Sequence, residues 1–166
     1  MELISAERRS ELLYSEPAQE IRKLEFQDFY EVDRALFEQW RSGDSKGAIR
    51  TIEGFLESRA KRAAIGFGYR RVRIISEPLS EYQRMAVEIS RSDPGLRWLP
   101  RSQVSTLPMP GNDCLIRNDM VIFNVLDGNA NRAEIQLFTD PESIKFCNDA
   151  FDVAWSLGTP NGEYAS

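Results

Sequence analysis

Two rhythms of apolar residues run through this chain, one of period two and one near three and a half. Residues 1–22 follow neither: they are polar with scattered apolar positions and predict an N-terminal arm or a frayed helix. KLEFQDFYEV (23–32) alternates, with Leu24, Phe26 and Asp28 on one side, and predicts a strand. DRALFEQWRSGD then puts Leu36, Phe37 and Trp40 on one stripe, a short helix with Asp33 as N-cap and Gly43 as its stop. A second helix over 45–65 follows from the spacing of Ile49, Ile52, Leu56, Ala60 and Ala63, and GFG (66–68) closes it with a glycine.

YRRVRII (69–75) is a strand with Val72 and Ile74 on one side and Arg71, Arg73 and Ile75 on the other. Beyond Glu77-Pro78, Leu79, Tyr82, Met85, Ala86 and Ile89 form the buried face of a helix over 79–91. LRWLPR (96–101) is a short extended piece halted by Pro100, and STLPMPGND is a loop. CLIRN, MVIFNVL and RAEIQLF predict an antiparallel meander, the last two joined by the hairpin sequence DGNAN. The last helix is the best marked: Asp140 at the N-cap, Pro141 next, a stripe of Ile144, Cys147, Phe151, Ala154 and Trp155, then Gly158 and Pro160. The expected fold is a single α+β domain over 23–166, mainly antiparallel, with N-terminal helices and a C-terminal helix packed on the sheet.

Composition narrows the chemistry. The 166 residues, 42% hydrophobic and 28% charged, suffice for one domain with a core. No apolar run nears the ~20 residues of a membrane helix, and the N-terminus lacks signal-peptide order, so the expected location is the cytoplasm, with no membrane partner. Cys114 and Cys147 predict reduced core thiols rather than a disulfide framework or a metal site. The absence of histidine changes more. It removes Ser-His-Asp and Cys-His activation and most transition-metal sites. An enzyme built from this chain would work with carboxylate, Tyr, Lys or Arg or borrow its reactivity from a cofactor; the expectation is of no metal and no cofactor.

The net charge of −5 is uneven. Residues 67–110 hold seven arginines, no lysine and four acids, whereas 111–166 hold three basic and nine acidic groups. A pI near 4.9 argues against direct nucleic-acid binding, but an arginine cluster suits a carboxylate or phosphate, which the guanidinium fork grips bidentately. Arg71 and Arg73 share one strand face, either as edge-strand charges or as the wall of a cleft, with Glu77 in reach as counter-ion. Arg84 falls with Glu81, Glu88 and Arg91 at steps of three and four, the spacing of a helix-surface ion-pair ladder. Arg97 and Arg101 bracket Trp98, a core or rim anchor.

The stretches VRIISEPLSEYQRM, LRWLPRS, LPMPGNDCLI and DPESIKFCNDAFDVAWSLGTP resemble, in this order, an actinobacterial family of small proteins of unknown function. Its pattern is of the type V-R-V-x-S-E-P-L-S-D-Y, then I-R-W-L-P-R, then D-P with D-x-A-W. The matching positions are Arg73, Ser76, Glu77, Pro78, Leu79, Tyr82 and Arg84, then Arg97, Trp98, Pro100 and Arg101, then Asp152 and Trp155. Cys114 departs from the pattern, and histidines that relatives carry near the C-terminus are missing. The resemblance implies an accessory or regulatory role in the cytoplasm, beside a helix-turn-helix regulator or in specialised metabolism, and no particular reaction.

Two functions follow as expectations. The first is a binding or regulatory module whose arginine-rich cleft (Arg71, Arg73, Glu77, Tyr82, Arg84, Arg97, Trp98, Arg101) holds an acidic protein segment or a small anion. The second is a histidine-independent enzyme of a specialised-metabolite pathway, with Glu77 as acid/base, Tyr82 as proton relay and the arginines as clamp.

Overall fold

The period-two segments assemble into one mixed sheet of eight strands in the computed structural model, which describes residues 1–15 and 20–164. The strands are β1 (Glu2–Leu3), β2 (Ile21–Glu25), β3 (Tyr69–Ile75), β4 (Leu96–Pro100), β5 (Asp113–Ile116), β6 (Val121–Leu126), β7 (Arg132–Phe138) and β8 (Thr159–Pro160). Five helices accompany them: α1 (Ala6–Tyr14), α2 (Arg34–Arg41), α3 (Ser45–Ala63), α4 (Glu81–Ile89) and α5 (Pro141–Leu157). The order across the sheet is β1-β7-β6-β5-β2-β3-β4-β8. Most pairs are antiparallel, but β2, β3 and β4 run parallel to one another at the centre. The fold is therefore α+β with a parallel core that the expected meander did not include.

Parallel neighbours need a crossover, and here α2 and α3 carry the chain from β2 to β3 while α4 carries it from β3 to β4. Leu24, Val72, Ile74 and Leu99 face one side of the sheet and pack with Cys147, Ala150, Phe151 and Ala154 of α5. On the other face α4 sets Ala86 and Val87 against Ile75, Leu96 and Trp98, and α1 sets Leu13 against Ile21, Leu115 and Ile122. Tyr82, Met85 and Ile89 join α4 to α2 and α3. Cys114 and Cys147 meet as buried free thiols.

Local signals explain the boundaries. Asp140 caps α5 by accepting from the Ser143 amide at 2.9 Å, with Pro141 behind it, and the N-cap Ser80 and Gln83 form a reciprocal capping box on α4. Gly43 and Gly66 take the positive φ that ends α2 and α3. The strand expected over 23–32 is corrected: β2 stops at Glu25. The Phe26 amide donates to Asp113 Oδ1 at 2.7 Å instead of to a neighbouring strand, and the chain turns into a short 3-10 segment at Glu31–Asp33. Residues 1–22 include β1, which pairs with β7, and α1; residues 16–19 of that expected arm lie outside the described residues.

Phe151 is fully buried and Val153 two positions on is 41% exposed. Phe151→Ala should lower unfolding stability by about 3–5 kcal/mol, against less than about 0.5 for Val153→Ala, by urea denaturation. Equal costs would place α5 outside the core.

Candidate functional site

Register makes the site. On β3 the side chains of Arg71 and Arg73 point away from α5, opposite Val72 and Ile74, and across the ladder Arg73 is paired with Glu25 on one side and Trp98 on the other. Arg71 is likewise paired with Lys23 and Leu96. Cys114 is opposite Leu24, so Asp113 falls beside Glu25 on the same face, and Asn124 is opposite Asp113. A rung of polar groups thus crosses the middle of the sheet under the helices. Because β3 lies between β2 and β4, the edge-strand reading of its arginines is overturned.

Arg73 is 5% exposed and sits among three rings, with its guanidinium carbon 5.2 Å from the centroid of Tyr30, 5.4 Å from Trp98 and 5.8 Å from Tyr82. Its hydrogen bond is a long one, 3.5 Å from Nη2 to the Tyr82 hydroxyl; its Nε is buried without a partner. Among the described residues no carboxylate oxygen lies within 4.0 Å of it. Burial works against its charge, but the fields of Tyr82, Glu25 and Tyr30 outweigh this and raise its pKa further.

The carboxylates nearby are held by other donors. Tyr30 donates to Asp113 Oδ2 at 2.6 Å and Tyr82 to Asp33 Oδ2 at 2.5 Å. Burial lifts the Asp113 carboxyl above its ordinary range. It lifts the Tyr82 hydroxyl as well, and Asp33 adds to that. Glu25 Oε1 accepts from Lys23 Nζ at 2.7 Å, while Oε2 is buried with no hydrogen bond and has Arg71 Nη1 at 3.6 Å. Burial alone would raise the Glu25 carboxyl; Lys23, Arg71 and Arg73 together hold it far below its usual 4.5. Arg71 also pairs with the buried Asp93 at 3.2 Å. Lys23, Glu25, Asp33, Arg71, Arg73 and Asp113 are all on the wall of one cavity of about 450 Å³.

The remaining expected residues do not converge there. Arg97 is one position out of phase with Trp98, so it lies on the α5 face, 4.3 Å above the Trp155 ring, and donates to the Trp155 carbonyl at 2.7 Å. Trp98 is fully buried and donates to Asn161 Oδ1 at 2.7 Å: it is a core anchor. Glu77 is on the surface, where it accepts from the Tyr164 hydroxyl at 2.8 Å; it is not the counter-ion of Arg71 or Arg73. Arg84 donates to the Leu79 carbonyl, Glu81 faces Arg41 at 3.8 Å and Glu88 accepts from the Trp40 indole, so the expected ladder is replaced by contacts beyond its own rungs. Arg101 lines a second, more open cleft at the carboxyl ends of the parallel strands. There it ties the Phe26 and Ile74 carbonyls and Ser76 together, with Asp28 3.6 Å away.

A family model described as "Domain of unknown function (DUF6879)" matches residues 8–166. The chain belongs to this family. No curated protein and no solved structure matches the chain. For this DUF6879 chain the site therefore rests on its own geometry. Pattern reading found Arg71, Arg73 and Tyr82 but missed Lys23, Glu25, Tyr30, Asp33 and Asp113. A signal did exist: Lys23 and Glu25 flank Leu24 at period two, and a strand with charges on its second face needs partners.

Glu25 generates a test. Its carboxyl is depressed in the folded protein, so the stability it contributes is complete above its ordinary 4.5 and is lost as pH falls below that value. Urea denaturation between about pH 3 and 6 should show a steeper acid limb for the wild type than for Glu25→Gln. Parallel curves would mean that Glu25 is no better ionised than in the unfolded chain.

Proposed function

We propose that the protein is a binding module that takes a small anionic ligand into the cavity over Arg73. The observation that carries this reading is a buried guanidinium on the wall of a cavity, with one long hydrogen bond and, among the described residues, no salt-bridge partner. A guanidinium so placed has donors to spare, and each charge-assisted hydrogen bond to a carboxylate or phosphate contributes about 1.5–3 kcal/mol. Cavity walls built from the sheet, the 3-10 segment and the β6–β7 hairpin favour a small molecule over the acidic protein segment that is the wider form of the proposal. The ligand would be the signal or cargo of a cytoplasmic accessory protein, in the regulatory or specialised-metabolism setting of actinobacteria that the sequence resemblance suggests. A helix-turn-helix regulator is the macromolecular partner proposed for it. The enzyme reading has less support, since Glu77 lies on the surface against Tyr164 rather than beside Tyr82.

Calorimetric titration and thermal-shift assays with succinate and inorganic phosphate test the binding reading. At about 100 times its Kd, a ligand should add ~2.7 kcal/mol of stability to the wild type. Arg73→Met, which keeps the volume and drops the charge, should lose the response with an unchanged circular dichroism spectrum. Neither probe binding, or both binding equally well to Arg73→Met, would put the function elsewhere.

Arg84 serves as the control from the same stretch of sequence. Arg84→Gln should cost only a few tenths of a kcal/mol and leave affinity unchanged, because its side chain is exposed and bonded to its own helix's start. Lost affinity with unchanged melting would move Arg84 into the site.

A further inference from the structure

A second concentration of positive charge lies on the same sheet face, between α1 and α3. Arg9, Lys23, Arg59, Arg62 and Arg132 line a cavity of about 550 Å³ there, and among the described residues no acidic side chain does. In a chain of net charge −5 that wall runs against the overall sign. Two of its cations are already neutralised: Lys23 holds Glu25 at 2.7 Å and Arg59 holds Asp93 at 3.0 Å. The other three have no ion-pair partner among the described residues. Arg9 donates to Asn124 Oδ1 at 3.0 Å and Arg62 to the Tyr14 hydroxyl at 3.1 Å, both neutral acceptors, and the Arg132 side chain has no bonded partner at all. None of the three is sealed from a ligand, since Arg62 and Arg132 are exposed and Arg9 is half-buried. Burial, and after it the charge of Arg132, holds the Arg9 guanidinium below its ordinary pKa, so the two like charges are close enough to oppose one another.

We infer that this cavity is a second binding site, for the doubly charged phosphate group of a small phosphate ester. Arg9, Arg62 and Arg132 reach it from α1, α3 and β7, three separate elements. A carboxylate offers two oxygens and one charge, whereas a phosphate ester offers three oxygens and close to two charges, which three guanidinium groups can share. The hydroxyls of Ser10 and Ser58 stand on the same wall as neutral donors. Phe55, 60% exposed on α3, gives the body of the ester an apolar face. This site shares Lys23, Asn124 and Arg132 with the wall of the Arg73 cavity but not Arg73 itself, and it does not rest on the reading given above.

Calorimetric titration with phenyl phosphate at about pH 7.5, where the ester carries close to two charges, tests the site. Binding should persist in Arg73→Met, which lacks the cation of the first cavity. It should weaken about tenfold or more in each of Arg9→Met, Arg62→Met and Arg132→Met, with circular dichroism spectra unchanged. Arg132→Met removes no bonded contact of the fold, so its loss of affinity reports on the ligand alone. Benzoate, a singly charged carboxylate on the same ring, should bind at least about tenfold more weakly than phenyl phosphate. Inorganic phosphate, which has the charge without the body, should also bind more weakly. Benzoate matching phenyl phosphate would mean that the second charge is not recognised, and inorganic phosphate matching it would mean that the ester's body is not; either result overturns the proposal. So does the absence of phenyl phosphate binding. Binding that is lost in Arg73→Met and untouched in the other three variants would place the ester in the first cavity, which overturns the second site and leaves the first standing.

Discussion

A single positive charge under the helices organises the middle of this protein. Arg73 cannot lose its proton, and an unpaired buried ion costs several kcal/mol even after relaxation. Three aromatic faces offset part of that cost, each contributing up to about 2 kcal/mol where water is excluded. Glu25 supplies a field from the next strand rather than a direct contact. The tyrosine hydroxyls occupy Asp113 and Asp33, which keeps those carboxylates from collapsing onto the guanidinium. The result is a cation that is stabilised but not neutralised.

The pleat then separates roles along the sequence. Trp98 and Arg97 are neighbours in the chain, yet one closes the aromatic cage and the other pins the end of α5. Arg101, three residues beyond Trp98, joins the Phe26 carbonyl just past β2 to the Ile74 carbonyl in β3 and to Ser76 after it. Arginines that look equivalent in a string of letters therefore serve as caged cation, helix clamp and backbone tie.

How much of this was legible beforehand depends on whether the relevant contact is local. Helices and turns were readable because their signals sit within a few residues: Asp140 with Pro141, Ser80 with Gln83, and Gly43 and Gly66. The side facing of β3 was readable from period two alone. The pairing of β2 with β3, and hence the meeting of Glu25 with Arg73, was not, because the helical stretch between them fixes no register by itself. The end of β2 departs from its alternating pattern for a related reason: the competitor for the Phe26 amide is Asp113, a side chain far along the chain. Glu77 is the acid nearest to Arg73 in sequence, whereas the acids nearest in space come from other strands and loops.

The parallel placement of β2, β3 and β4 also bears on how the chain reaches its native state. β5, β6 and β7 are joined by short turns, the last anchored by Asp127 on the amides of Asn129 and Asn131, and can zip together as neighbours. Leu24 and Val72 are separated in the chain by α2 and α3, so pairing β2 with β3 at the centre of the sheet closes a long loop. The polar rung is thus drawn from strands that are distant in the chain. Burying Arg73 needs all of those strands together, which ties its desolvation to the cooperative formation of the sheet's centre.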